Sequence, residues 1–226
     1  MATPTAEGSP RNPQLIVRLA GVVLFLQLIT ALFESVSSHV RDREIAAAQA
    51  HIGGLLAASA SALDVRVRFK LQVQEWKNVL LRGSDPADFA RYREAMLGHA
   101  SAVDAALLSL GDTLTAMHED AGEVPALRER HAALGTRYSA ALGDRQVLDV
   151  ALAREADRAV RGMDRPLDAE FDALASGLGK RAQAGQVAAV EATARGMQRA
   201  RWIRGTLLAC SSILVLLLLF TALRRG

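Results

Sequence analysis

Two long apolar stretches, one near each end of the chain, constrain the fold more than any other feature of the sequence. Residues 15–33 are LIVRLAGVVLFLQLITALF, and residues 205–223 are GTLLACSSILVLLLLFTAL. A helix of about 20 apolar residues crosses the hydrocarbon core of a bilayer. Arg18, the one charge in the first stretch, can extend to the membrane surface. The sequence therefore predicts transmembrane helices at residues 15–33 and 205–223.

The first stretch has a rival interpretation as a cleaved signal peptide. A signal peptide needs small residues at a cleavage site just after the apolar stretch, and the following SVSSHV fits that pattern poorly. We favour an uncleaved anchor, which leaves tails at residues 1–14 and 224–226 on the same side of the membrane. Arginines flank both spans on both sides, so the positive-inside rule does not choose the orientation.

The segment between the spans, residues 34–204, contains three groups of helix-ending and helix-starting residues. They lie at residues 82–86, 121–125 and 161–166 and combine Gly with Asp or Glu and Pro, which suit the positions around helix ends and starts. The predicted helices are 34–81, 86–118, 125–161 and 166–204. Because both ends of this segment return to one membrane, we expect an all-α, antiparallel up-down-up-down four-helix bundle carried on two transmembrane helices.

Residues 63–73, LDVRVRFKLQV, alternate strictly between apolar and polar side chains. Alternation alone indicates a strand, but no other segment is suited to pair with it, and an unpaired strand leaves its backbone unsatisfied. We therefore predict a helix with two apolar stripes on nearly opposite faces. The stripes are Leu63, Val67 and Leu71, and Val65, Phe69, Val73, Trp76 and Leu80. We expect one stripe to face the bundle and the other, at positions 65, 69 and 73, to form a homodimer contact.

Three stretches resemble the periplasmic sensor region of certain bacterial methyl-accepting chemotaxis proteins. The most specific is QVQEWKNVLLRG at residues 72–83, followed by Asp85-Pro86, Phe89 and Tyr92. RHAALG at residues 130–135, with Tyr138, and VRGMDRP at residues 160–166 support it. The order of anchor, helical segment and second span is also similar, so the resemblance covers nearly the whole chain.

The resemblance implies a dimeric sensor bundle in the periplasm, with both tails in the cytoplasm. In that family a helix continues through the membrane into a HAMP linker and a methylated signalling coiled coil, whereas Arg-Arg-Gly follows Leu223 here. We therefore expect a chemoreceptor-like sensor or ligand-binding protein of the bacterial inner membrane without its own signalling output, which either acts through a partner receptor or is a truncated receptor. The alternative is a structural or assembly protein of the cell envelope that uses the bundle for protein contacts.

A polar stripe on the first predicted helix is the candidate binding site. It comprises Arg66, Lys70, Gln74 and Lys77. Because members of the resembled family often use basic side chains at the dimer interface, the stripe is a candidate anion site for a carboxylate ligand, whose identity the sequence leaves open. The alternative is a solvated helix face. Trp76 is included as a candidate for stacking on the ligand, with packing in the core as the alternative.

Composition and motifs disfavour other functional classes. The net charge is only +3, and the basic residues alternate with acids without an aromatic platform, so we expect no nucleic-acid partner. Zinc-protease, phosphate-loop and nucleophile motifs are missing from the sequence, so we expect no enzyme, no catalytic residues, no metal and no cofactor. His131 lies on the apolar seam of the third predicted helix. We interpret it as a buried, hydrogen-bonded histidine, with pH sensing or metal binding as the alternative.

Overall fold

The computed structural model describes residues 13–224, which form five helices. The helices are α1 (Pro13–Arg82), α2 (Pro86–Ala116), α3 (Glu123–Leu142), α4 (Val150–Val160) and α5 (Asp164–Arg224). The described residues contain no strand, so the all-α prediction is confirmed. The predicted helix over the alternating residues 63–73 is also confirmed, because this stretch lies inside α1. Most of the two predicted tails, at residues 1–12 and 225–226, lies outside the described residues.

The chain divides into two units, to both of which α1 and α5 contribute. The core unit is Gln49–Gln186, and the terminal unit combines Met1–Ala48 with Val187–Gly226. Two helices are long and apolar enough to cross a membrane, over Gly21–Arg82 and Asp164–Thr221. Apolar side chains of the predicted spans are exposed, for example Phe25 and Leu216, as lipid contact requires. The described parts of both predicted spans therefore lie in helices of membrane-spanning length.

Large apolar and aromatic side chains from α1, α2, α3 and α5 fill the interior of the core unit. Phe69 on α1 meets Phe171 on α5 edge to face, with ring centroids 5.3 Å apart. Trp76 on α1 stacks on Tyr138 of α3 at 4.5 Å. Apolar residues at helical spacing on α2 and α5 are buried, at Met96, Val103, Leu107, Leu110 and Leu114, and at Leu167, Phe171, Leu174 and Leu178. The helical spacing of apolar residues therefore located most of this core.

The turn between α1 and α2 forms where the sequence predicts it. The Asp85 side chain accepts hydrogen bonds from the backbone N–H groups of Ala87 and Asp88, and Pro86 is the first helical residue. Gly83 directly follows α1, and the requirement for glycine there is steric. A Cβ atom there would lie 2.3 Å from the Val79 carbonyl oxygen, so close backbone approach requires glycine.

The predicted continuous helix over residues 125–161 is wrong, because the chain breaks between α3 and α4. Gly143 ends α3 with φ +57° and ψ −148°, a conformation that is essentially restricted to glycine. Asp149 then caps α4 by accepting from Ala151 and Leu152. Between them, buried Leu148 donates its backbone N–H to the Gly83 carbonyl at 2.7 Å. The break therefore anchors this segment to the α1–α2 turn, and Leu148 continues the apolar pattern without being helical.

The structure also contradicts the predicted role of one α1 stripe. Val65, Phe69, Val73 and Trp76 are all at most 8% exposed in the core of a single chain. Positions 65, 69 and 73 therefore do not lie at a dimer surface. The other stripe is the exposed one, with Leu63 at 48%, Val67 at 55% and Leu71 at 42%. The sequence identified the two faces correctly, but the stripe that it assigned to a partner is the buried one.

Glycine substitutions at Gly143 and Gly135 should have opposite effects on stability. Gly143→Ala forces a Cβ into a positive-φ conformation and is expected to destabilise the protein by about 1–3 kcal/mol. Gly135 lies inside α3, with nothing within 4 Å of an added Cβ. Gly135→Ala is expected to be neutral or to stabilise by up to about 1 kcal/mol. Thermal unfolding in detergent, followed by circular dichroism, measures both. A G143A variant as stable as G135A would contradict the proposed cause of the helix break.

Candidate functional site

Four of the five predicted site residues line one cleft in the core unit. Arg66, Lys70, Gln74 and Lys77 of α1 face α5 across a space of about 540 Å³. Spacings of four, four and three residues place them on one face of the helix. The α5 side contributes Asp164, Arg165, Asp168 and Asp172. The predicted polar stripe is therefore one wall of a cleft between two helices of the same chain.

Arg66 is already paired with carboxylates of α5. Its Nε donates to Asp168 Oδ1 at 2.9 Å, and its terminal nitrogen donates to Asp172. The bond from Arg66 holds the pKa of the Asp168 carboxyl below its ordinary value, against a smaller opposing effect of desolvation. Lys70 Nζ also lies 3.8 Å from Asp168. Much of the positive charge predicted for an anion site is therefore balanced within the chain.

Sequence reasoning missed the acidic wall of the cleft. Asp164, Asp168 and Asp172 recur every four residues, which places them on one face of α5. That spacing was a usable signal, but nothing in the sequence alone showed that this face meets Arg66. The pairing depends on the tertiary contact of two segments about 100 residues apart.

Two cations of the cleft remain without a carboxylate partner. Within the described residues, neither Lys77 nor Arg165 has a carboxylate oxygen within 4.0 Å, and the Lys70 side chain is 57% exposed despite its contact with Asp168. Four cationic and three carboxylate side chains line the cleft in all. The cleft is therefore a mixed-charge surface with a small positive excess, located at its Lys77–Arg165 end.

Trp76 does not line this cleft. It is 4% exposed, and its ring lies nearly parallel to that of Tyr138, with 8° between the planes. Burial also raises the pKa of the Tyr138 hydroxyl, which keeps it neutral. This position favours the packing interpretation of Trp76 over stacking on a ligand.

His131 forms a buried polar pair with Gln72 in the core. Its Nε2 lies 2.7 Å from Gln72 Oε1, and the residues are 3% and 1% exposed. Because an amide oxygen only accepts, the imidazole nitrogen is the donor. Burial lowers the pKa of His131 from its ordinary value of 6.5, with a smaller opposing effect from Asp104, which is paired with Arg128 at 2.8 Å. The structure thus places His131 as the buried, hydrogen-bonded histidine of the first interpretation.

No group of three or more potential metal ligands occurs among the described residues.

The protein is all-α over the described residues, with two helices long and apolar enough to cross a membrane and a charged cleft between two helices of its core unit. The chain is 35% identical over 164 residues to the methyl-accepting chemotaxis protein CtpH of Pseudomonas aeruginosa. The aligned region covers 71% of this chain and 27% of CtpH, so the chain spans about a quarter of that relative. No protein-family model matches the chain, and no solved structure matches it significantly.

This similarity supports a relationship to methyl-accepting chemotaxis proteins. The group that the sequence resemblance named is therefore the group to which this relative belongs. Together with the two helices of membrane-spanning length, the similarity is consistent with a protein of the inner membrane.

Acidification should destabilise the protein through His131. Because its pKa is lowered in the folded state, the unfolded chain takes up a proton first as the pH falls below 6.5. Stability is therefore complete above that pH and decreases below it, by at most about 1.4 kcal/mol per pH unit. Thermal unfolding at a series of pH values should show a smaller acid-dependent loss for His131→Gln than for the wild type. His39→Gln, at an exposed position, is the matched control. Parallel curves for the wild type and H131Q would exclude this role.

Proposed function

We propose that this protein is a chemoreceptor-like membrane sensor whose residues 34–204 form a periplasmic four-helix bundle, with both termini in the cytoplasm. The similarity to a methyl-accepting chemotaxis protein supports the sensor role, and the two long apolar helices support the membrane placement. The resemblance to chemoreceptors also favours a partner receptor in the same membrane as the route for the signal. The single observation that carries the proposal is the charged cleft between α1 and α5, because these helices also contain the predicted spans.

The ligand that the cleft fits best is a small carboxylate. The volume of the cleft, about 540 Å³, lies in the range of small-molecule sites. In this proposal Lys77 and Arg165 bind the carboxylate, and Lys70 exchanges its long contact with Asp168 for the ligand. Arg66 acts as a positioning residue, because its bonds to Asp168 and Asp172 hold the two walls together. A ligand that bridges α1 and α5 stabilises one relative arrangement of these helices, which is how ligand binding shifts a conformational equilibrium.

Ligand binding is tested with the full chain in lipid nanodiscs and a panel of small monocarboxylates and dicarboxylates. At least one member should raise the melting temperature. Lys77→Gln and Arg165→Gln should each weaken its binding about tenfold, because each removes a charge-assisted hydrogen bond. Lys180→Gln, at an exposed site on α5 outside the cleft, should leave binding unchanged.

Equal binding by K77Q, R165Q and the wild type would refute the site. A chain that binds no carboxylate would refute the ligand class. It would leave the structural or assembly role in the envelope as the better account.

The exposed stripe of α1 is the proposed homodimer contact. Leu56 is 54% exposed and lies seven residues before Leu63, so it extends the stripe of Leu63, Val67 and Leu71 along one face. Spacings of seven and four residues are typical of a seam between two helices. Burial of one such side chain contributes roughly 1.5–3 kcal/mol, and two-fold symmetry doubles each contribution, which offsets the entropic cost of association. The stripe is therefore suited to a second copy of the same α1 face.

Cysteine cross-linking in membranes tests this contact. In a Cys210→Ser background, Leu63→Cys and Val67→Cys should form disulfide-linked dimers on oxidation. Leu108→Cys, on α2 with 49% exposure, controls for random collision, and Val65→Cys should fail because its side chain is buried. Cross-linking at position 108 equal to that at positions 63 and 67 would reject the α1 interface. Preferential linking at positions 66, 70 and 77 would instead place the polar stripe between subunits.

A further inference from the structure

A second, larger space lies between α1 and α5 in the terminal unit. This groove has a volume of about 1020 Å³ and is lined mainly by apolar atoms. Its apolar side chains include Phe33, Val36, Ile203 and Leu207, and its charged ones include Arg41, Arg199, Arg201 and Arg204. The groove shares no residue with the charged cleft of the core unit.

A bidentate ion pair marks the level at which the predicted spans end. Arg204 donates to both carboxylate oxygens of Glu34, at 2.6 and 3.0 Å. On the side of the spans, the groove is lined by Ala31, Phe33 and Leu207. The remaining arginines lie on the other side of this pair. The groove is therefore purely apolar on the side of the spans, whereas on the other side apolar residues such as Val36 and Ile203 lie among the arginines.

The groove arginines lie at or just beyond the depth of the headgroup layer of a bilayer. A helix rises 1.5 Å per residue, so Arg199 lies about 7.5 Å beyond Arg204 along α5, and Arg41 lies about 10 Å beyond Glu34 along α1. The polar layer of a membrane is roughly 5–8 Å thick on each side of the hydrocarbon core. Arg199 therefore falls within this layer, and Arg41 lies just beyond it, where a long arginine side chain can extend back to a lipid phosphate.

The groove carries a surplus of positive charge. Arg204 is balanced by Glu34, and Glu44 is the other carboxylate in the lining. Within the described residues, Arg41, Arg199 and Arg201 have no carboxylate oxygen within 4.0 Å. Guanidinium groups bind phosphate through paired hydrogen bonds. A second copy placed symmetrically over this groove would bring like charges together, which disfavours it as the occupant.

We propose that this groove binds an anionic phospholipid. The phosphate lies against Arg41, Arg199 and Arg201, and an acyl chain lies along Phe33, Ile203 and Leu207. This site rests on the membrane placement of the two helices and is independent of the ligand proposed for the core unit.

Trp202 provides a local reporter for this site. It is 72% exposed and adjacent to Arg201 on α5, and tryptophan is favoured at the membrane interface. The other tryptophan, Trp76, is buried in the core unit. A Trp76→Phe variant therefore emits from Trp202 alone, and its circular dichroism spectrum verifies that it remains folded.

The experiment measures quenching of Trp202 by brominated lipids. The W76F protein is placed in nanodiscs of phosphatidylglycerol and phosphatidylcholine, with bromine on one lipid at a time. Brominated phosphatidylglycerol should quench more strongly, with a preference of about fivefold for each arginine that binds phosphate. Combining Arg41→Gln, Arg199→Gln and Arg201→Gln should abolish the preference. Arg195→Gln, on the same helix but outside the groove, should retain it.

Four results would overturn the site. Equal quenching by the two brominated lipids would show that the groove does not select anionic lipid. A preference that survives the triple substitution would place the selectivity elsewhere. Loss of the preference on addition of inorganic phosphate would assign the arginines to a free anion. Efficient cross-linking of Val36→Cys between copies would identify a second chain as the occupant, and this too would overturn the lipid site.

Discussion

The contact between α1 and α5 in the core unit is the interaction on which the other features depend. Phe69 and Phe171 pack edge to face beneath the surface, while Arg66 above them bonds to Asp168 and Asp172. The ion pair remains partly exposed, at 27% for the Arg66 side chain and 31% for that of Asp168. Exposed ion pairs contribute little stability on their own. The apolar contact therefore supplies most of the stability of the α1–α5 pairing. The charges determine which faces of the two helices meet and in which register.

Helical periodicity was sufficient to predict the class of fold and most of the core, because burial repeats every three or four residues in both α2 and α5. It failed where two faces of one helix were equally apolar. The Val65–Trp76 and Leu63–Leu71 stripes of α1 differ little in composition, and only tertiary packing decides which is buried. It failed again at Gly143, because Leu148 and Leu152 continue the spacing of a helix across a break. The apolar pattern depends only on spacing along the sequence, so it does not reveal that the positive φ of Gly143 changes the direction of the chain.

The candidate site was predicted on one side only. The basic stripe of α1 is evident from its spacing, and so is the acidic spacing of Asp164, Asp168 and Asp172 on α5. That these two faces lie opposite each other, however, is a property of the folded chain. The pairing changes where an anion can bind. A row of cations facing water attracts an anion anywhere along it, whereas three facing carboxylates leave only some of those cations available. The free cations Lys77 and Arg165 therefore define the site more narrowly than the whole stripe does.

The pair formed by Gln72 and His131 has a further consequence for how the core unit assembles. Apolar seams alone permit two helices to slide past one another by a full turn with little loss of contact. Such a slide would separate the amide from the imidazole and leave both buried polar groups without partners, a penalty of a few kcal/mol. One hydrogen bond across the interior thus makes the observed register of α1 and α3 lower in energy than a register shifted by one turn. A shifted alignment of these helices would leave an amide and a ring nitrogen unsatisfied in a dry interior, which favours the observed alignment over it.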